Sequence, residues 1–157
     1  MEAPYRYEMS GLDDVYLVGI SVYWCERCRS GSPVIPKIEQ LHTLIARHLV
    51  CKHSRLTGKE LRFLRKNAGF PARQFAALVG VTPEHLSRFE NGKVPHLGTV
   101  ADRLARYISA TKSQRNDVHR ALMQMAENLL MKKRAVPAPR RSVFEVDNEG
   151  RWVASAA

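Results

Sequence analysis

The chain is short of acid, of cysteine and of unbroken apolar sequence, and each shortage closes off a class of protein. Its 15 Asp and Glu stand against 25 Lys and Arg, a net charge of +10 over 157 residues, so the expected counterpart is polyanionic. Three cysteines are too few, and odd in number, for a disulfide framework, and they fit a reducing compartment. The longest apolar run, Val15 to Cys25, is broken by Gly19 and Ser21 and is too short to span a bilayer; the Met-Glu-Ala-Pro start lacks the pattern of a signal peptide. A cytoplasmic chain without a membrane partner is therefore expected. Repeats and low-complexity stretches are absent. No Ser/His/Asp spacing, phosphate-cradling glycine loop or paired-carboxylate arrangement stands out, so neither catalysis nor a required cofactor is expected. With 45% apolar residues the length suffices for one ordinary domain or two small ones.

What is present is a run of helix signals from Leu56 to Pro95. Thr57 and Glu60 have the spacing of a capping box, in which the Thr hydroxyl and the Glu carboxylate each satisfy an end-of-helix N–H. Leu61, Leu64 and Ala68 follow on one face, and Gly69 ends the helix. Pro71 suits the start of a second, whose buried face is Phe75, Ala76 and Val79. Gly80 supplies a tight connection, and Thr82-Pro83 is an N-cap followed by a first-turn proline. The third helix, from Pro83 to about Asn91, buries Leu86 and Phe89 and turns Glu84, His85, Ser87 and Arg88 outward. Two helices joined by a short Gly-containing turn, with small Ala76 at the point of closest approach, meet the mechanical requirement of a helix-turn-helix. Between Lys52 and Arg73 there are seven Lys/Arg against the single acid Glu60, so phosphate contact is expected along the same segment.

The pattern A-x-x-x-G-V-T-x-x-x-L-S-R-F-E-N-G, from Ala76 to Gly92, resembles the xenobiotic-response-element class of helix-turn-helix proteins. That class includes phage repressors and many antitoxins, and it usually has Gln where this chain has Ala72. The preceding Tyr-x-Tyr, SGLDDVYLVGISV, CxxC and L-T-G-x-E-x-R-F-L-R-K segments are similar to the MqsA-like, YgiT-type zinc-finger antitoxins and related regulators. The two resemblances together cover about residues 5 to 112. The second family has two CxxC pairs; here only Cys25 and Cys28 have that spacing. The resemblance implies a bacterial, nucleoid-associated regulator: either an antitoxin that binds a toxin through its N-terminal domain and represses its own operon, or a free-standing regulator.

The expected fold is mainly α: a short antiparallel sheet plus helix over 1–54, a five-helix helix-turn-helix domain over 55–134, and a linker with a hairpin tail over 135–157. Alternating apolar residues between Tyr5 and Trp24 carry the sheet, Arg29 to Pro36 reads as a loop, and Ile38, Leu41, Leu44, Ile45 and Leu49 give the first helix. Leu97, Val100, Leu104, Tyr107 and Ile108 outline the helix that closes the DNA-binding domain. Val118, Leu122, Met125 and Leu129 form the seam of a last helix, Asn116 to about Lys133, which either pairs two protomers or packs on its own domain. Lys132, Lys133 and Arg134 lie in its last turn, and Val143 to Val153 reads as a hairpin around Asp147-Asn148-Glu149-Gly150.

A closed zinc site needs four ligands. Cys25 and Cys28 supply two, with Cys51 and His53 as the nearest completion; a site shared between two protomers and a metal-free pair of thiols are the other readings. For DNA, Arg88 is first choice to read a base, because a guanidinium donates twice to guanine O6 and N7, with Glu84 on cytosine N4 and His85 and Ser87 flanking. Arg73, Lys93, Lys59 and Thr82 are expected at phosphates. Glu90 is expected to face inward to Arg62 or Arg65, or to cap the adjoining turn. The expected partners are double-stranded DNA bound as a homodimer on an inverted repeat and, on the N-terminal domain, a toxin or another regulator. Acidic Glu2, Glu8, Asp13 and Asp14 stand there against Arg6.

Overall fold

The structure, a computed structural model, describes residues 4–113 and 141–155, and the chain divides into two compact units: Met1–Leu44 with Ala138–Ala157, and Ile45–Pro137. This differs from the division expected at residues 54 and 134. The cause is the C-terminal hairpin, which completes a sheet begun by the N-terminal residues.

In the first unit, β1 (Tyr5–Arg6) pairs antiparallel with β2 (Val15–Val18). β5 (Ser142–Val146) joins the other edge of β2 in parallel, with Leu17 opposite Phe144, and β6 (Trp152–Ser155) returns antiparallel to β5. The sheet, in order β1-β2-β5-β6, is thus mixed where an antiparallel one was expected. Alternation along β2 buries Val15 and Leu17, and Phe144 and Trp152 from the hairpin join them with Tyr7, Leu12 and Ile20. Trp152 also donates its indole N–H to the Pro36 carbonyl at 2.7 Å. The expected hairpin turn is present: Asp147 N–H bonds to Arg151 O and Gly150 N–H to Asp147 O, with Gly150 at φ 69°.

β3 (Val22–Trp24) and β4 (Gly31–Pro33) form a separate two-stranded sheet. The stretch read as loop, Arg29 to Pro36, therefore contains a strand. A tight turn closed by Cys25 N–H to Ser30 O and by Arg29 N–H to Cys25 O reverses the chain, and Arg29 takes the left-handed φ of 52° that allows it. α1 (Ile38–Cys51) begins in this unit with Leu41 fully buried.

The second unit holds the end of α1 and four further helices: α2 (Gly58–Asn67), α3 (Ala72–Val79), α4 (Pro83–Glu90) and α5 (Thr99–Ser113). Leu61, Leu64, Phe75, Ala76, Val79, Leu86 and Phe89 make the core, as the apolar periodicity predicts. α5 departs from expectation. Its inward face is Ala101, Ala105 and Ala110, all 5% exposed or less, whereas Val100, Leu104 and Tyr107 are 70%, 37% and 39% exposed. Two requirements set this rotation. Small side chains let α5 approach α2 and α3 closely, and Arg106 must face inward. Its guanidinium donates to the carbonyls of Leu49, Val50, Lys52 and Ser54 at 2.6–3.3 Å and to Asp102 at 2.9 Å. Asp102 in turn accepts from Leu56 N–H at 2.9 Å. One buried cation thereby satisfies the open carbonyls at the end of α1 and holds the connection to α2.

The expected helix at 116–133, its apolar seam, Lys132-Lys133-Arg134 and the linker lie outside the described residues. No described helix is long and apolar enough to cross a membrane.

Candidate nucleic-acid interface

The helix-turn-helix is built from local caps. Thr57 accepts from Glu60 N–H while Glu60 accepts from Thr57 N–H at 2.7 Å, completing the capping box. Lys52 Nζ holds the same carboxylate at 2.7 and 2.8 Å. Gly80, at φ 75°, closes α3, and Val81 N–H returns to Ala76 O at 3.0 Å, so the two helices are joined by a turn with its backbone bonds made. Thr82 caps α4 by accepting from His85 N–H at 3.1 Å, with Pro83 in the first turn.

Burial then sorts α4 into two faces. Leu86, Phe89 and Glu90 are buried; Glu84, Ser87 and Arg88 are exposed and His85 is half-buried. Glu90 explains the far end of the helix. Its two oxygens accept from Arg65 Nε at 2.7 Å and Nη2 at 2.8 Å, and Arg65 Nη1 donates to Phe70 O at 3.0 Å. The Arg65 side chain is 10% exposed and that of Glu90 7%. The hydrogen bonds to Glu90 raise the Arg65 guanidinium above its ordinary value, so Arg65 keeps its charge. Of the two partners expected for Glu90, Arg65 is the one. Gly58 sets the spacing at the near end of α2, because a Cβ there would overlap the Phe89 carbonyl.

The inward pairs remove Lys52 and Arg65 from the surface charge. Arg55, Lys59, Arg62, Lys66, Arg73, Arg88 and Lys93 remain exposed on α2, α3, α4 and their flanks. Arg88 and Lys93 bracket the last turn of α4 and the loop behind it, whose fold Asn91 secures through its amide on Ser87 O at 2.8 Å. Thr82, expected at a phosphate, is exposed, with its hydroxyl serving the cap. The structure therefore places Glu84, Ser87 and Arg88 together on one solvent face and turns His85 partly inward. Arg106 was missed as an anchor. The spacing of Arg106 from Asp102, four residues on a helix, was a readable signal for a local ion pair.

The four proposed metal ligands divide between the two units. Cys25 and Cys28 lie in the first unit, Cys51 and His53 in the second, and among the described residues no group of three or more His, Cys, Asp or Glu side chains is arranged to hold an ion. The donor set of the β3–β4 hairpin is two exposed thiols, half of what a closed four-ligand site needs. The Ser30 hydroxyl lies 2.9 Å from Cys28 Sγ. Its hydrogen bond, with others from the Ser30 backbone and the Cys25 thiol, lowers the Cys28 thiol to about 7.

Two short helices locked across a left-handed glycine turn, the second capped, anchored and polar on its outer face, define a helix-turn-helix domain. A family model described as a helix-turn-helix domain matches residues 56–118; the match begins after the cysteine hairpin and does not extend to it. No curated protein and no solved structure matches the chain.

Proposed function

We propose that the chain is a sequence-specific transcriptional regulator that binds an inverted-repeat operator as a homodimer, with α4 of each copy in the major groove. The observation that carries this is the division of α4: three residues bury it against the domain while Glu84, Ser87 and Arg88 face solvent, on a helix fixed at one end by a cap and at the other by Arg65. Arg88 reads guanine, Glu84 accepts from cytosine N4, and Ser87 and His85 flank them. Arg73, Lys93 and Lys59 meet phosphates. Two-fold symmetry puts the half-sites one helical turn, roughly 34 Å, or a multiple of it apart.

The test is binding to the DNA upstream of its own gene, against a scrambled duplex, at two salt concentrations. Preference for the native duplex with a steep salt slope supports the reading; equal affinity for both reduces it to non-specific attraction. Arg88→Ala is expected to lose about 1–3 kcal/mol on the native duplex and little on the scrambled one, and Lys59→Ala to weaken both alike. Arg88→Ala weakening both alike would make Arg88 a phosphate contact.

A second reading, an antitoxin that neutralises a toxin and represses its own operon, is favoured by one feature of the first unit. It is a separate compact body with Met9, Tyr23 and Trp24 about 70% exposed or more, which suits a protein partner. Co-purification with the product of an adjacent reading frame tests it; a first unit that captures no such product leaves the free-standing regulator.

A further inference from the structure

We propose that Cys25 and Cys28 form a reactive dithiol at the tip of the β3–β4 hairpin, with Cys28 the attacking thiol, Cys25 the resolving one and small-molecule disulfides the substrate class. Both thiols are exposed, within a run of exposed residues from Tyr23 to Ser30, so a disulfide of the size of glutathione reaches them without opening the fold. They stand three positions apart on one tight turn of the hairpin. The turn that carries them is already closed at both ends, by Cys25 N–H on Ser30 O at 2.9 Å and Arg29 N–H on Cys25 O at 2.8 Å. Ring closure therefore meets a pre-formed geometry and proceeds as a unimolecular step.

The two thiols differ in their surroundings. Cys28 has the Ser30 hydroxyl 2.9 Å from its Sγ, a group that can donate to the thiolate once it forms. Among the described residues no group of three or more His, Cys, Asp or Glu side chains is arranged to hold an ion.

The chemistry balances with a disulfide as oxidant. Cys28 thiolate attacks one sulfur of RSSR, forming a Cys28–S–S–R bond and breaking the S–S bond of the reagent; the departing thiolate takes the proton that Cys28 lost. Cys25 then attacks Cys28 Sγ, the Cys25–Cys28 bond forms, and the second RS group leaves with the proton of Cys25. Two protein thiols are oxidised to one disulfide and RSSR is reduced to two RSH.

The experiment treats the full-length chain with oxidised glutathione, alkylates the remaining thiols at timed intervals and reads each cysteine by peptide mass spectrometry. The expected result is a Cys25–Cys28 disulfide with little glutathione retained, forming ahead of modification at Cys51. Cys25→Ser is expected to stop at one glutathione on Cys28. Cys28→Ser should react at Cys25 about tenfold more slowly, and Ser30→Ala should slow the attack by Cys28. All these positions are on an exposed loop, and unchanged far-ultraviolet circular dichroism confirms that the variants fold. Equal rates for Cys25→Ser and Cys28→Ser, or stable glutathione on both thiols of the unaltered chain, would overturn the proposal. So would thiols that react only after a chelator releases half a metal ion per chain, which would make the hairpin a metal site shared between two copies.

Discussion

Replacing Glu90 by Leu removes the acceptor that two nitrogens of Arg65 use and leaves a guanidinium, 10% exposed in the folded chain, with the Phe70 carbonyl at 3.0 Å as its remaining acceptor in that network. Breaking a buried pair from one side costs about 3–5 kcal/mol, because the surviving charge is stranded. The unit that carries the pair, Ile45–Pro137, has a total stability on the order of 5–14 kcal/mol, so the loss is a large fraction of it. With a urea slope of about 2 kcal/mol/M, the midpoint falls by about 2 M. Arg65→Met should cost a similar amount by stranding the carboxylate. The double variant Arg65→Met/Glu90→Leu should return to within about 1–2 kcal/mol of the original, since neither charge is then buried and the side-chain volumes are similar. Urea unfolding of the four proteins, followed by helical circular dichroism, gives the coupling directly. A Glu90→Leu cost below about 1 kcal/mol, or a double-variant cost equal to the sum of the singles, would refute the claim that this pair anchors α4.

Three further outcomes are expected. Gly58→Ala adds a Cβ onto the Phe89 carbonyl, a backbone atom that cannot step aside, so it should destabilise by about 1–3 kcal/mol although Ala favours helices; a raised thermal midpoint would contradict this. Arg106→Leu strands Asp102 and four carbonyls, costing about 3–5 kcal/mol. Amide exchange should accelerate first at the end of α1, and exchange unchanged there would show that the carbonyls find other donors. His42 bonds the Tyr7 hydroxyl at 2.9 Å, and burial lowers its imidazole below the ordinary value. The unfolded chain therefore binds a proton first, so this contribution is complete above pH of about 6.5 and is lost as pH falls through the folded value. The thermal midpoint of the original chain should drop on acidification below that point and that of His42→Gln should drop less; identical pH profiles would remove His42 from the account.

What could be read in the sequence was what depends on neighbours a few residues apart. Thr57 with Glu60, Gly69, Gly80 and Thr82 with Pro83 act over one turn, so their spacing alone locates α2, α3 and α4 and hence the outward Glu84, Ser87 and Arg88. Glu90 was half legible: its inward direction follows from the helix period, whereas its choice of Arg65 over Arg62 depends on how α2 is rotated. The rotation of α5 was misjudged because apolarity was weighed without size. Val100, Leu104 and Tyr107 have the right period for a core face, yet the close contact is filled by Ala101, Ala105 and Ala110. The parallel pairing of β2 with β5 joins residues more than a hundred positions apart, and no local pattern encodes such a register. Thiols three positions apart suggest a metal, but only three-dimensional placement reveals whether further ligands arrive.

The partnership of β2 with β5 has a temporal side. β2 is made early and β5 only after the whole of α2 to α5, so on the ribosome the helix-turn-helix, whose contacts are mostly local, can complete its folding while the first sheet still waits for its central pair. Until Ser142–Val146 emerges, the edge of β2 at Val15–Val18 is open to any other strand that arrives first. A product terminated between the two would carry a finished helix-turn-helix domain attached to an adhesive, half-made sheet.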